Sequence, residues 1–305
     1  MIAVCAMSDS AAVSCAQPAE TDRFNAKTGR NVPIWPLSLV DDQGASGWKR
    51  RGAFAPIIRG VAMYRTEPFH SRNILLNALS EEDRGLLTPH FERVPLEREM
   101  VLVTADEPIA HVYFPESGIA SIVSLSVEGD RTEVGIFGRE GVSGTSLLLG
   151  ADRSPHETFI QVDHAHALRI GAAMFMEAVE SSATLQRVML RYVQTLFIQT
   201  SQSTVANARH QIEARLARWL LMCRDRYDSD DIPLTHEFMA IMVGAQRSGV
   251  TIALHVLEGA GMIRSARGRV TILDRDKLEE IASDSYGRAE AEYRRLIGPF
   301  GEPRA

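Results

Sequence analysis

One short stretch concentrates the side chains that could read a base. In Gln246-Arg247-Ser248-Gly249-Val250-Thr251-Ile252, the polar groups Gln246, Arg247, Ser248 and Thr251 sit at the start of a helix-period pattern, and Val250, Leu254 and Leu257 carry its apolar beat. A guanidinium is a fork of donors, so Arg247 can take guanine O6 and N7 together. Downstream, Arg264, Arg267 and Arg269 surround Gly268. Between His236 and Ile272 there are four arginines against two acids, Glu237 and Glu258, in a chain whose formal net charge is −6. That overall charge excludes a protein that coats nucleic acid without selection, while the local reversal suits a phosphate backbone. A solvated arginine on an ordinary helical hairpin uses the same residue types, so the elements that position them decide the reading.

Those elements span Leu234 to Leu273 and read as two short helices, a glycine turn and a hairpin. Thr235 can cap the first helix by accepting a backbone N–H, and Glu237 lies in its first turn, where the helix dipole favours an anion. Met239, Met242 and Val243 share one buried face, and Gly244 follows where the chain needs positive φ. The second helix starts near Gln246–Ser248 and stops at Ala260-Gly261; SARGRVTIL then gives a strand with an Arg-Gly-Arg tip. A helix–turn–helix followed by a wing places its second helix in the DNA major groove. The candidate phosphate contacts are Thr235, Gln246, Arg267 and Arg269, which position without specifying.

The segment from the leading Leu-Thr through VGAQRSGVT to LEGAGMI resembles the winged helix–turn–helix of the Crp/Fnr family of bacterial transcription regulators. The resemblance extends upstream to about Ser71 and covers three quarters of the chain. It supports Arg247 as a base reader. The best-known member carries Glu at the next position, where this chain has Ser248, and a second base-reading Arg is replaced by Ile252. Ile252 offers only apolar contact, for example to a thymine methyl. The base-contacting set is therefore Arg247, Ser248, Thr251 and Ile252.

Composition is ordinary for a soluble globular protein. The chain has 305 residues, enough for two domains, with 45% apolar and 24% charged residues. No run of 18 or more apolar residues predicts a membrane span, and no secretion signal opens the chain. Cys5, Cys15 and Cys223 are too scattered for a disulfide framework or a metal site, which points to a reducing cytoplasm. Cys223 falls on the apolar face of IEARLARWLLMCRDRYD with Leu216, Trp219 and Leu220, as core packing.

The expected fold is α+β in four parts. Residues 1–66 lack periodicity and read as a disordered extension, with Met63 an alternative start; Lys49-Arg50-Arg51 reads as a solvated cluster. Residues 67–182 open with two short helices over Asn73–Val94, Ser80 capping the second with Asp83 as its capping-box partner. Short strands follow, of the kind that build an antiparallel β-roll like the cyclic-nucleotide-binding domain. Residues 183–208 form a long helix with Leu185, Met189, Tyr192 and Leu196 on one seam, which the resemblance makes the dimerisation helix. Residues 209–305 hold the winged helix–turn–helix and two C-terminal helices, the first packing Leu278 and Ile281, the second with Tyr293 and Leu296 against the wing or as a cap.

The resemblance also implies an effector site at Phe137–Val162. Glu140 and Gly141 match the ribose-binding end of the phosphate cassette. The family's phosphate-binding Arg-Ser/Thr pair falls near His156-Glu157, where Glu157 repels phosphate, and Arg153 lies three residues early. A cyclic phosphodiester lacks its fixed cation, so the expectation is another small effector or none, and no cofactor. His156, His164 and His166 are spaced irregularly and read as loop histidines rather than metal ligands. No Ser/His/Asp order or phosphate-loop motif points to an enzyme. The expected partners are double-stranded DNA and a second copy of the chain, with RNA polymerase a further candidate. The alternative is a ligand-sensing module whose winged helix contacts protein.

Overall fold

The computed structural model describes residues 70–301 apart from 128, 130, 163 and 164. The expectations for residues 1–66, with Cys5, Cys15 and Lys49-Arg50-Arg51, and for His164 lie outside the described residues. Two short helices come first: α1 (Ile74–Asn77), capped by Asn73, and α2 (Glu81–Leu87), capped by Ser80, whose hydroxyl accepts the Asp83 N–H at 3.0 Å. The Asp83 carboxylate does not complete a capping box. It accepts instead from Ser182 and Thr184 at 2.5 and 2.9 Å, pinning α2 to the start of a later helix.

The roll is built from β1 (Glu92–Leu96), β2 (Val101–Val103), β3 (His111–Pro115), β4 (Ala120–Leu125), β5 (Arg131–Phe137), the short α3 (Thr145–Leu148), β6 (His156–Ile160) and β7 (Ala165–Gly171). One antiparallel sheet runs β1-β7-β3 and the other β2-β6-β4-β5. The helical reading of Asn73–Val94 runs too far, because Glu92–Leu96 is a strand. Its Pro95 hides the strand in sequence, and β1 holds an edge position, where a missing N–H is tolerated.

The rest is largely helical: α4 (Ala172–Ser181), α5 (Ala183–Arg209) and α6 (Ile212–Arg226), then β8 (Asp231–Ile232), α7 (His236–Met242), α8 (Arg247–Gly259), the hairpin β9 (Ile263–Ala266) and β10 (Arg269–Ile272), and finally α9 (Arg275–Ala282) and α10 (Arg288–Leu296). Leu185, Met189 and Tyr192 on α5 are fully buried in the core of their own roll. Further along the same face, Gln199 closes the exposed edge of β5. Its amide accepts the Ile136 N–H at 2.8 Å and donates to the Ile136 carbonyl at 3.0 Å, doing what a neighbouring strand would do.

A single core joins the roll to the helical region. Phe159 packs edge-on against Phe238 with ring centroids 6.2 Å apart, and Trp219, Leu220, Met239 and Met242 sit in one apolar cluster with Ile119, Val123 and Ile136. One carboxylate lies inside it. Glu133 accepts from Trp219 Nε1 at 3.0 Å and from Ser121 Oγ at 3.1 Å, with Gln161 Nε2 at 3.3 Å. Burial pushes its carboxyl up to about 7, against the pull of those donors and of Arg218 and Arg226. Cys223 is buried in the same core, and burial raises its thiol well above the ordinary range.

The two C-terminal helices depart from expectation. On α9 Leu278 is buried but Ile281 is exposed. α10 lies neither on the wing nor at an outer cap; it packs along α5 and reaches the roll. The Tyr293 hydroxyl donates to the Glu140 carbonyl at 2.7 Å, and the Phe300 ring lies 5.1 Å from the Arg226 guanidinium carbon. Beneath them Arg226 Nε meets Glu140 Oε1 at 2.7 Å, both side chains buried. Among the described residues no single helix is long and apolar enough to cross a membrane.

Candidate nucleic-acid interface

The interface is built from local devices. Thr235 caps α7, its Oγ1 accepting the Phe238 N–H at 3.2 Å. Gly244 takes φ +59° in the turn, where a Cβ would be strained, and the chain then bends by 103° from α7 into α8. That angle is the one a helix–turn–helix needs. Val250, Ala253, Leu254 and Leu257 hold α8 on the core. Gly249 lets it sit close to α6, because a Cβ there would come within 2.9 Å of Ile212 Cδ1. Gly261 at φ +71° ends the helix, and Gly268 at φ +72° turns the wing.

This packing decides what faces outward. Gln246, Arg247 and Ser248 are all exposed at the N-terminus of α8, and Ile252 is exposed one turn on. Among the described residues no side chain caps that N-terminus, so its backbone N–H groups remain open to an anion. Thr251 is half-buried and its hydroxyl is turned inward, donating to the Arg247 carbonyl at 2.9 Å with His236 Nδ1 at 3.2 Å. On the wing, Arg264, Arg267 and Arg269 are exposed. Arg247, Arg264 and Arg267 make no ion pair among the described residues, whereas Arg269 is paired with Asp231. Asp231 also accepts from Thr271 at 3.2 Å, fastening β8 to β10 in a three-stranded wing sheet. The Asp228–Asp231 stretch reads in sequence only as a charged loop; β8 is too short for any period to show. Docking of α7 on the roll leaves the outward face of α8 bare.

Comparison with known proteins gives the same architecture. The family model for the Crp-like helix-turn-helix domain matches residues 214–281. A CRP-family transcriptional regulator from Thermus thermophilus superposes with a TM-score of 0.51 at 22% identity, covering 63% of this chain and 96% of that one. The chain has the Crp/Fnr-type regulator fold. FixK2 from Bradyrhizobium japonicum is similar too, with a TM-score of 0.54 at 15% identity over 63% of this chain and 98% of its own. Among curated relatives, the global nitrogen regulator of Nostoc sp. is 25% identical over 208 residues, 65% of this chain and 92% of the relative. The protein of that name from Synechococcus elongatus is 24% identical over 214 residues, 67% and 95% respectively.

The long helix does not offer the expected seam to a partner. Leu185, Met189 and Tyr192 are spent inside the protomer, and Leu196 is half-buried at the roll. The opposite face of α5 bares Leu190, Phe197 and Val205, with Phe197 67% exposed.

The sensor end is also arranged differently from the expected cassette. Glu140 is occupied by Arg226 and by the Gly138 N–H at 2.9 Å. Gly141 makes room for a phenol, since a Cβ there would lie 2.3 Å from the Tyr192 hydroxyl. Arg153 is exposed and grips Asp152 at 3.0 Å. Glu157, the expected source of repulsion for a phosphate, is paired with Arg131 at 2.9 Å. None of Glu140, Gly141 and Arg153 lines the cavity of about 410 Å³ that opens between the roll and α5. Its walls are Val103, Ile122, Val134, Phe137 and Phe197, with hydroxyls from Ser143, Thr145 and Thr158 and the imidazole of His156. Among the described residues no arginine or lysine lines it. Phe137, Ser143, Thr145, His156 and Thr158 fall within the expected Phe137–Val162 stretch, whereas Val103, Ile122, Val134 and Phe197 escape sequence reasoning because they come from strands and a helix elsewhere in the chain.

Proposed function

We propose that this protein is a sequence-specific DNA-binding transcription regulator of the Crp/Fnr type, acting as a homodimer on a two-fold-symmetric site. The observation that carries the reading is an exposed Arg247, with no ion pair among the described residues, at the open N-terminus of α8, on a helix whose other face is locked into the core. Arg247 and Ser248 read base edges, with Arg247 on guanine O6 and N7. The α8 N-terminus with Gln246, the Thr235 hydroxyl and the wing arginines Arg267 and Arg269 hold phosphates and fix the register. Pairing runs along the bared α5 face of Leu190, Phe197 and Val205, which sets two copies of α8 on one side of a duplex. The cavity at the roll favours a small, largely apolar effector over a cyclic nucleotide, because it supplies hydroxyls but no fixed cation for a phosphate.

Selection of bound fragments from a random duplex library tests the reading. It should return an inverted repeat with half-sites one helical turn apart. Arg247→Ala should then lose about 1–3 kcal/mol at one base pair of each half-site and tolerate any base there. Recovery of fragments without a shared sequence, or equal binding by the variant, would defeat the assignment.

A further inference from the structure

The outward face of α8 changes character along its length. Its first turn is polar, with Arg247 and Ser248. Beyond that the polar donors thin to His255, because the Thr251 hydroxyl is already committed to the Arg247 carbonyl. What remains exposed is a line at four-residue spacing, Ser248, Ile252 and Val256, with Ile252 62% and Val256 51% exposed. The core of the helix is complete without them, since Val250, Ala253, Leu254 and Leu257 are buried. Two β-branched apolar side chains in neighbouring turns of a solvent-facing surface are therefore surplus to folding. They are also stiff, each held near one helical rotamer, and so ordered before any partner arrives.

We propose that Ile252 and Val256 form an apolar reading edge that selects thymine, through its C5 methyl, on the side of each half-site away from the base held by Arg247. The proposal rests on the DNA-binding reading above. At about 1.5 Å of rise per residue, Ile252 lies roughly 7.5 Å along α8 from Arg247. That is about two base-pair steps of roughly 3.4 Å. Val256 lies a further turn on. In the major groove the thymine methyl is the one apolar group a base pair offers, and cytosine and the purines present only polar atoms or a bare ring edge there. Burial of Val250, Ala253, Leu254 and Leu257 fixes the rotation of α8, so the stripe cannot turn inward without moving the helix. Arg247 and His255, both exposed, lie on the same side of the apolar line.

The test removes the methyl and nothing else. Thymines of the half-site selected by the full-length protein are replaced one at a time by deoxyuridine, and affinity is measured for wild type, Ile252→Ser and Val256→Ser. Wild type should lose about fourfold at the thymine facing Ile252, the effect of one buried methyl. Ile252→Ser should bind more weakly and no longer distinguish thymine from deoxyuridine at that position, while keeping its dependence on the guanine. A selected site that lacks thymine there, or wild-type binding indifferent to every methyl, overturns the apolar edge and leaves DNA binding standing, as it would if the stripe served a protein contact. Failure to bind any duplex selectively defeats both readings.

Discussion

Helices α5 and α8 each bury one face and bare the other, yet the bared faces are made for different neighbours. On α8 the outward face starts with an arginine and continues as a narrow apolar line, a mixture that fits a groove walled by phosphate. On α5 it is Leu190, Phe197 and Val205, with Gln194 and Ser201 between them, a seam that fits a copy of itself. The inward faces differ as well. That of α8 is wholly apolar, whereas that of α5 includes Thr195 and Gln199, the latter satisfying a strand edge. On the proposed function, a protomer organised in this way separates the surface that chooses the DNA from the surface that doubles the choice.

The separation can be broken from the α5 side first. Leu190→Asp with Phe197→Asp should leave a folded monomer by ultracentrifugation. Affinity for the full two-fold site should fall on the order of a thousandfold, the advantage of linking two half-site contacts. A dimer that survives both changes would move the pairing surface elsewhere.

Next in size is a change that should touch neither outward face. Glu133 holds its proton in the folded protein up to about pH 7, whereas the unfolded carboxyl releases it near 4.5. Folding therefore takes up a proton between those values, and stability is greatest below the lower one and falls as pH rises towards 7. Glu133→Gln keeps an acceptor for Trp219 without the charge. Its melting temperature should lose that decline, and at pH 8 it should exceed wild type by up to about 3 kcal/mol of unfolding free energy. Wild type whose stability shows no fall over this range would count against the buried carboxyl.

The smallest effect belongs to the wing. Arg264→Ala and Arg267→Ala should weaken all sequences alike and each lower the slope of log affinity against log salt by about one. A change in preferred sequence would instead make these residues readers of bases.

How far the chain can be read in advance depends on whether neighbours in space are neighbours in sequence. Thr235, Gly244, Gln246 and Gly261 act within a few residues of themselves, so the helix–turn–helix and the placement of Arg247 are legible. α5 shows where periodicity stops helping. Both of its faces carry large apolar side chains, and spacing identifies a stripe without saying what covers it. The stripe of Leu185, Met189 and Tyr192 faces its own roll rather than a partner. Glu140 escapes sequence reading for a related reason, since its partner Arg226 comes from a helix whose approach no local pattern foretells. Thr251 lies on the expected helix, but its hydroxyl is committed to the backbone, a detail that only the path of the chain reveals.

The clasp over the Arg226–Glu140 pair has a consequence for synthesis. Phe300 covers the guanidinium and Tyr293 ties down the Glu140 backbone, and both are among the last described residues to be made. While the ribosome is still adding them, a paired charge meant for the interior stays in contact with water. The roll can close early and the helix–turn–helix can form next, but the joint between them is sealed only after residues 293–300 have been made. A nascent chain paused before residue 293 should therefore show fast amide exchange around Glu140 and Arg226, and the same amides should become protected once the last helix docks.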